Sequence, residues 1–326
     1  MISDFNPLFR SPHLATIAGN YWRRRIDKGQ YPNIRREYQV APGVTVVADE
    51  HQPVIRPCRG QIVLLHGLEG SSNGGYIVSF AQAALSVGFG VHRLNMRSCG
   101  GTEHLSETMY HSGLTSDPLL VLRTIQLKHP EPLFLVGFSL GGNVALKLAG
   151  ELRHSNLLRG VCAVSTPIDL ACAVKAIDTK QNILYARRFL SRLKARIRRK
   201  NESAPHLYST SGLDQVESIW SFDDRYTAPL FGFGTADNYY ATQSASRFLR
   251  YIEIPTLVVT AQDDPLVPFE MYRRSEFQTN PALTLVAPKH GGHLGFLSRY
   301  KPRFWLDEVL ISWINERAAL VAGAVL

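Results

Sequence analysis

Short, largely apolar runs alternate with amphipathic stretches along most of this chain, and the two periods predict a layered α/β fold. Residues 61–65, 89–94, 132–136, 255–261 and 283–287 are predominantly apolar without a polar face, as strands buried on both sides of a sheet are. Between them, residues 76–87, 118–129 and 143–152 repeat apolar positions at helical spacing. Asp117 as N-cap and Pro118 in the first turn mark the start of the second of these helices. Residues 35–50 read as an opening hairpin turning at Pro42-Gly43. Such alternation implies a mostly parallel central sheet flanked by helices. It stops at Ser165-Thr166-Pro167 and resumes at Ile254. Residues of about 166–251 are helical, aromatic and irregular in pattern, and are expected to form a helical cap inserted into a single domain spanning residues 1–326. Residues 1–30 form an N-terminal extension whose Phe5, Leu8, Phe9 and Trp22 are expected to pack on the body, and residues 304–319 an amphipathic closing helix.

Candidate chemistry sits where a buried run meets a helix. Residues 137–142 read Gly-Phe-Ser-Leu-Gly-Gly, between the run at 132–136 and the helical pattern from Asn143. In that context a Gly-x-Ser-x-Gly match is a nucleophile turn: glycines permit a sharp, close-packed bend that exposes Ser139 at the strand tip. A serine hydroxyl needs a base, a group orienting that base, and donors for the developing oxyanion. The required order of serine, acid and histidine is met. The run at 255–261 leads into Asp263-Asp264-Pro265, and the run at 283–287 into His290-Gly291-Gly292-His293. Asp264, next to the proline on the turn leaving the strand, is expected to be the acid, with Asp263 as the alternative. His293, beyond the flexible Gly-Gly pair, is expected to be the base and His290 structural. No carboxylate or cysteine at ligand spacing accompanies the two histidines, so no metal is expected.

Two backbone N–H groups should complete the site. One is that of Leu140, directly after the nucleophile; the other is expected from Leu68, in His66-Gly67-Leu68-Glu69-Gly70 after the run at 61–65. A serine rather than an aspartate at position 139 argues against chemistry that needs a carboxylate nucleophile. No nicotinamide, flavin or metal motif is present, so no cofactor is expected.

These motifs converge, and the chain resembles the α/β-hydrolases, more narrowly their YheT-like branch, whose relatives include monoacylglycerol lipases and medium-chain ester acyltransferases. The resemblance covers nearly the whole chain. It rests on Phe5-Asn6-Pro7, His13-Leu14-Ala15-Thr16-Ile17 and His66 to Ser72. It continues through Asn95 to Gly101, Tyr110 to Asp117, and the aromatic pieces Phe222-Asp223, Tyr226 to Pro229, Gly232-Phe233 and Tyr239-Tyr240. Carried onto Ser139, Asp264 and His293, it implies a serine carboxylic-ester hydrolase acting on a small-molecule acyl ester or a monoacylglycerol. Short to medium acyl chains are expected, given Phe189, Trp220, Phe222, Tyr226, Phe231 and Phe233 in the cap region. An alcohol acyltransferase or thioesterase would use the same triad, and a non-catalytic binding module would keep only the fold.

Composition places this chemistry in its surroundings. Across 326 residues, 45% are hydrophobic and 19% charged, ordinary values for a globular protein. Cys58, Cys99, Cys162 and Cys172 form no Cys-x-x-Cys pair, which predicts reduced thiols and a cytoplasmic setting. Asp4, Asn6, Arg10 and His13 interrupt the apolar stretches near the start, so no signal-peptide core is expected. The formal net charge of +9 is concentrated at residues 187–200, where Arg187, Arg188, Arg192, Lys194, Arg196, Arg198, Arg199 and Lys200 surround an apolar stripe of Phe189, Leu190, Leu193 and Ile197. That stretch is read as a solvated helix face, or as a peripheral contact with anionic membrane. Nucleic acid is not an expected partner, because no base-reading motif accompanies the charge.

Overall fold

The buried runs pair into one eight-stranded sheet. A computed structural model describes residues 4–322 of the chain. The strands are β1 (Ile34–Ala41), β2 (Val44–His51), β3 (Gln61–Leu65), β4 (Gly90–Asn95), β5 (Leu133–Phe138), β6 (Gly160–Val164), β7 (Thr256–Val259) and β8 (Leu283–Val286), in the spatial order β1-β2-β4-β3-β5-β6-β7-β8. β1 and β2 form the expected antiparallel hairpin, and β2 also runs antiparallel to β4. From β4 to β8 every neighbouring pair is parallel. All strand tips that bear candidate residues therefore lie along one sheet edge.

Side-chain alternation divides the apolar residues of the sheet between its two faces. Val63, Leu65, Leu135, Ala163 and Val258 pack with Val121, Leu122, Val144 and Leu148 of helices Ser116–Lys128 and Leu140–Leu152. Ile62, Leu64, Phe134, Val136, Leu257 and Val259 face helices Gly75–Ser86 and Trp305–Ala322 through Phe80, Ala84, Leu310 and Trp313. Fully buried strands have no solvent face to alternate, which is why their sequences read as continuous apolar runs.

Two expectations need correction. Helix Ser116–Lys128 starts one residue before Asp117, and Asp117 does not cap it. Its carboxylate instead receives Arg97 through Nε and Nη2, each at 2.6 Å, so a tertiary ion pair has taken the oxygens a cap would use. The N-terminal extension contains an unforeseen helix, Pro12–Tyr21, capped by the Ser11 side chain. Phe5 does pack, on Phe296 and Trp305, but Trp22 stays 39% exposed.

Between β6 and β7 the chain forms helices, the longest Leu170–Ile177, Ile183–Ser203 and Ala236–Gln243. They carry apolar clusters of their own, one around Leu193, Ile197, Tyr208 and Phe222 and another around Leu170, Ile219, Tyr239 and Tyr240. A π-helical turn at Asp223–Thr227 interrupts this segment, a local irregularity of the kind often found at functional sites.

Candidate active site

Ser139 stands between β5 and helix Leu140–Leu152 with φ 53° and ψ −122°, a strained conformation for a residue with a Cβ. The surrounding glycines make the bend possible. A Cβ on Gly137 would lie 2.2 Å from the Gly141 carbonyl oxygen, and one on Gly141 would lie 2.6 Å from the carbonyl oxygens of Leu65 and His66. The Ser139 N–H donates to Val164 O at 2.8 Å, which ties the bend to β6.

A continuous hydrogen-bonded chain leads away from the hydroxyl. Ser139 Oγ lies 3.0 Å from His293 Nε2, and His293 Nδ1 lies 2.9 Å from Asp264 Oδ2. The other Asp264 oxygen accepts the N–H groups of Leu266 and Val267 at 2.9 and 3.0 Å, which fixes the carboxylate. The Asp264 side chain is wholly buried and that of His293 is 11% exposed. A carboxylate facing Nδ1 places the proton there and leaves Nε2 to accept from the serine.

The alternative acid has its own partner. Asp263 Oδ2 lies 3.1 Å from His290 Nδ1, and its Oδ1 accepts the Gly292 N–H at 2.9 Å. The second Asp–His pair thus holds the Gly-Gly loop and makes no bond to the serine. The loop also leans on the N-terminal helix. The His293 N–H donates to Thr16 Oγ1 at 2.9 Å, and that hydroxyl donates to Pro12 O at 2.7 Å. Gly292 has φ 55°, and a Cβ there would meet Pro12 O at 2.4 Å. Thr16 is a supporting residue that sequence reasoning left without a role, although it lies within the His13–Ile17 motif.

The loop after β3 is held almost atom by atom. Gly67 N–H donates to Tyr76 Oη at 3.0 Å, Glu69 N–H to Tyr110 Oη at 2.8 Å, and Gly70 N–H to Gly67 O at 3.0 Å. Among the described residues the Leu68 N–H has no acceptor. Leu140, as the first residue of its helix, supplies an N–H that no helical carbonyl can take. His66, fully enclosed, accepts the Met96 N–H at Nε2 and donates from Nδ1 to Gly67 O. Burial pulls its pKa down to about 4, so it is a neutral brace.

Glu69 links this loop to the helical segment between β6 and β7. Arg196 of helix Ile183–Ser203 pairs with both of its carboxylate oxygens, at 2.9 and 3.1 Å, with each side chain no more than 5% exposed. Lys200, fully buried, donates to the carbonyls of Glu103 at 2.6 Å and of Ser106, and burial lowers its pKa to about 8. The expectation that the whole 187–200 stretch presents its cations outward is therefore corrected: Arg196 and Lys200 point into the protein. Arg198 and Arg199 are exposed but ion-paired, to Asp214 and Glu103. A helical wheel cannot tell a solvated cation from one that meets a buried carboxylate 127 residues away.

Two cavities meet at Ser139 and His293. One, of about 870 Å³ including space open to solvent, is lined chiefly by apolar side chains, among them Leu170, Val174, Phe189, Phe222 and Tyr239. The other, of about 1320 Å³ on the same measure, runs out past Ile17, Tyr21, Tyr185, Arg188 and Arg192. Leu68 lines both, and Leu140 lines the first. Asp223 also lines the first; burial raises its pKa to about 6 against hydrogen bonds from Thr227 and Tyr240.

The sequence profile of the α/β hydrolase fold matches residues 60–300. The chain belongs to that family. "Putative esterase YheT" of Escherichia coli (strain K12) is 30% identical over 96% of this chain and 93% of its own length. Monoacylglycerol lipase ABHD2 of Mus musculus is 27% identical over 94% of this chain and 77% of its own. Among solved structures, the Pyrococcus furiosus esterase Pf2001 superposes with a TM-score of 0.58 at 15% identity, covering 90% of this chain and 97% of that one, a likeness of fold. Within the α/β hydrolase family this chain is an esterase/lipase-like serine hydrolase. No helix among its described residues is long and apolar enough to cross a membrane.

Proposed function

We propose that this α/β hydrolase cleaves carboxylic esters through a Ser139–His293–Asp264 triad, on short- to medium-chain acyl esters or monoacylglycerols. The observation that carries the assignment is the unbroken chain from Ser139 Oγ through both ring nitrogens of His293 to Asp264. Ser139 Oγ attacks the acyl carbonyl while His293 Nε2 takes its proton. Asp264 holds the tautomer and stabilises the imidazolium that forms. The Leu68 and Leu140 N–H groups receive the oxyanion; losing a single such donor typically costs roughly 3–4 kcal/mol of transition-state stabilisation. His293 then returns the proton to the departing alkoxide. Water, activated by the same histidine, releases the acid from Ser139.

The helical segment at about 166–251 serves in this reading as a cap that shapes the acyl cavity. Its Phe189 and Phe222 lie against the same space as the serine. Peripheral contact with anionic membrane belongs to the same proposal, narrowed to the cations of residues 187–200 that stay exposed. Fluorophosphonate labelling and hydrolysis of nitrophenyl butyrate test the assignment. Labelling confined to Ser139, and abolished in Ser139→Ala, is expected; an unlabelled serine in folded protein overturns it.

A further inference from the structure

Large apolar side chains left in solvent are normal when scattered singly and informative when contiguous. Here they gather on two neighbouring helices. Leu14, Ile17 and Tyr21 follow one stripe of helix Pro12–Tyr21 and are 55%, 47% and 66% exposed. Ile183 and Leu184, at the start of helix Ile183–Ser203, are 41% and 76% exposed. The two helices touch: Arg188 donates to Tyr21 Oη at 2.7 Å, and His13 stacks on Tyr185 with ring centroids 5.8 Å apart. One helical turn separates Ile183 from Arg187 and Leu184 from Arg188, so the apolar and cationic positions share a face. Arg187, Arg188, Arg192 and Arg23 are all exposed around it.

The position of this patch gives it meaning. Ile17, Tyr21, Tyr185 and Arg188 belong to it and also line the cavity that ends at Ser139 and His293. The patch therefore rims the mouth of the catalytic site. Leucine and isoleucine tips set among arginines and a tyrosine suit the boundary between acyl chains and anionic headgroups, where long cationic side chains keep their charge in water.

We propose that this patch is the face by which the protein docks on an anionic lipid surface, with the cavity mouth turned toward the lipid. An ester would then pass from the lipid layer to Ser139 without crossing bulk water. The docking itself does not depend on the ester-hydrolase reading; only the turnover of lipid-borne ester rests on it.

Leu14, Leu184 and Arg187 line neither cavity and so separate the two ideas. Co-sedimentation with phosphatidylcholine vesicles, with and without phosphatidylglycerol, is measured beside hydrolysis of a soluble nitrophenyl ester and of vesicle-borne monoacylglycerol. Wild type should sediment with the anionic vesicles. Leu14→Asp/Leu184→Asp should weaken that binding by about tenfold or more. It should also slow turnover of the vesicle-borne ester while soluble turnover persists. Arg187→Glu should weaken binding to anionic vesicles selectively. Wild type that fails to sediment at low salt, or a double variant that binds as well, overturns docking. So does a dimer in solution that the double substitution splits, since the patch would then be covered by a second copy. Protein that sediments yet hydrolyses neither ester supports docking and removes the catalytic reading.

Discussion

Two Asp–His pairs sit side by side on the loops after β7 and β8, and one of them reaches the serine. Asp264 is buried and the His293 side chain only 11% exposed, with the carboxylate held by two backbone N–H groups and the imidazole 3.0 Å from Ser139 Oγ. Asp263 and His290 are 19% and 39% exposed, and their bonds go to each other and to the Gly292 N–H. Both aspartates lie on the turn that leaves β7, where the Asp264 N–H donates to Ala261 O at 3.3 Å, and the turn aims the two consecutive side chains at different histidines. The same contrast recurs on helix Ile183–Ser203, where Arg196 meets Glu69 in the interior and Arg198 meets Asp214 in solvent. Equal chemistry at neighbouring positions has unequal weight, and burial decides which pair matters.

The largest effect should come from the serine and the pair that reaches it. Ser139→Ala should lower kcat/KM for a nitrophenyl ester by roughly 10⁴- to 10⁶-fold, and Asp264→Asn by roughly 10⁴-fold through the wrong tautomer. Steady-state kinetics on protein of unchanged melting temperature checks both. Should Asp263→Asn prove the more damaging of the two aspartate changes, the comparison is inverted and the roles exchange. Arg196→Met comes next. It leaves the Glu69 carboxylate buried and unpaired, at a cost of about 3–5 kcal/mol in denaturant unfolding. Because Glu69 adjoins Leu68, kcat should fall more than KM rises, and adding Glu69→Gln should recover part of the stability.

Smaller effects sharpen the contrast. Asp263→Ala removes two bonds from the histidine loop, and kcat/KM should drop by roughly fivefold, the scale of one ordinary hydrogen bond. Asp223 offers a test by pH. Its carboxyl ordinarily titrates near 3.8, and burial raises this to about 6 in the folded protein. Its stabilising share is complete below the unfolded value and is lost as pH rises through about 6, because the unfolded chain releases the proton first. Melting temperature measured across that window should fall more steeply in wild type than in Asp223→Asn. Smallest of all, Arg198→Gln should change unfolding free energy by less than about 0.5 kcal/mol, as exposed pairs generally do.

Much of this protein was decided by the chain alone. Runs of buried residues located β3, β4, β5 and β7, because a strand covered on both faces has no polar period to hide it. The glycines around Ser139 announced a bend that larger residues could not make, and the order of serine, aspartate and histidine followed from which strands end at the same edge. Those are local or topological facts, carried by sterics and spacing. What the tertiary structure decided concerns partners distant in sequence. Asp117 abandoned a cap for Arg97, Thr16 came to hold the His293 loop from 277 residues away, and Arg196 and Lys200 turned inward from a stretch that reads as a solvated face. A polar side chain takes the partner that leaves least charge unpaired, and once distant elements pack, that partner need not be a neighbour in the chain.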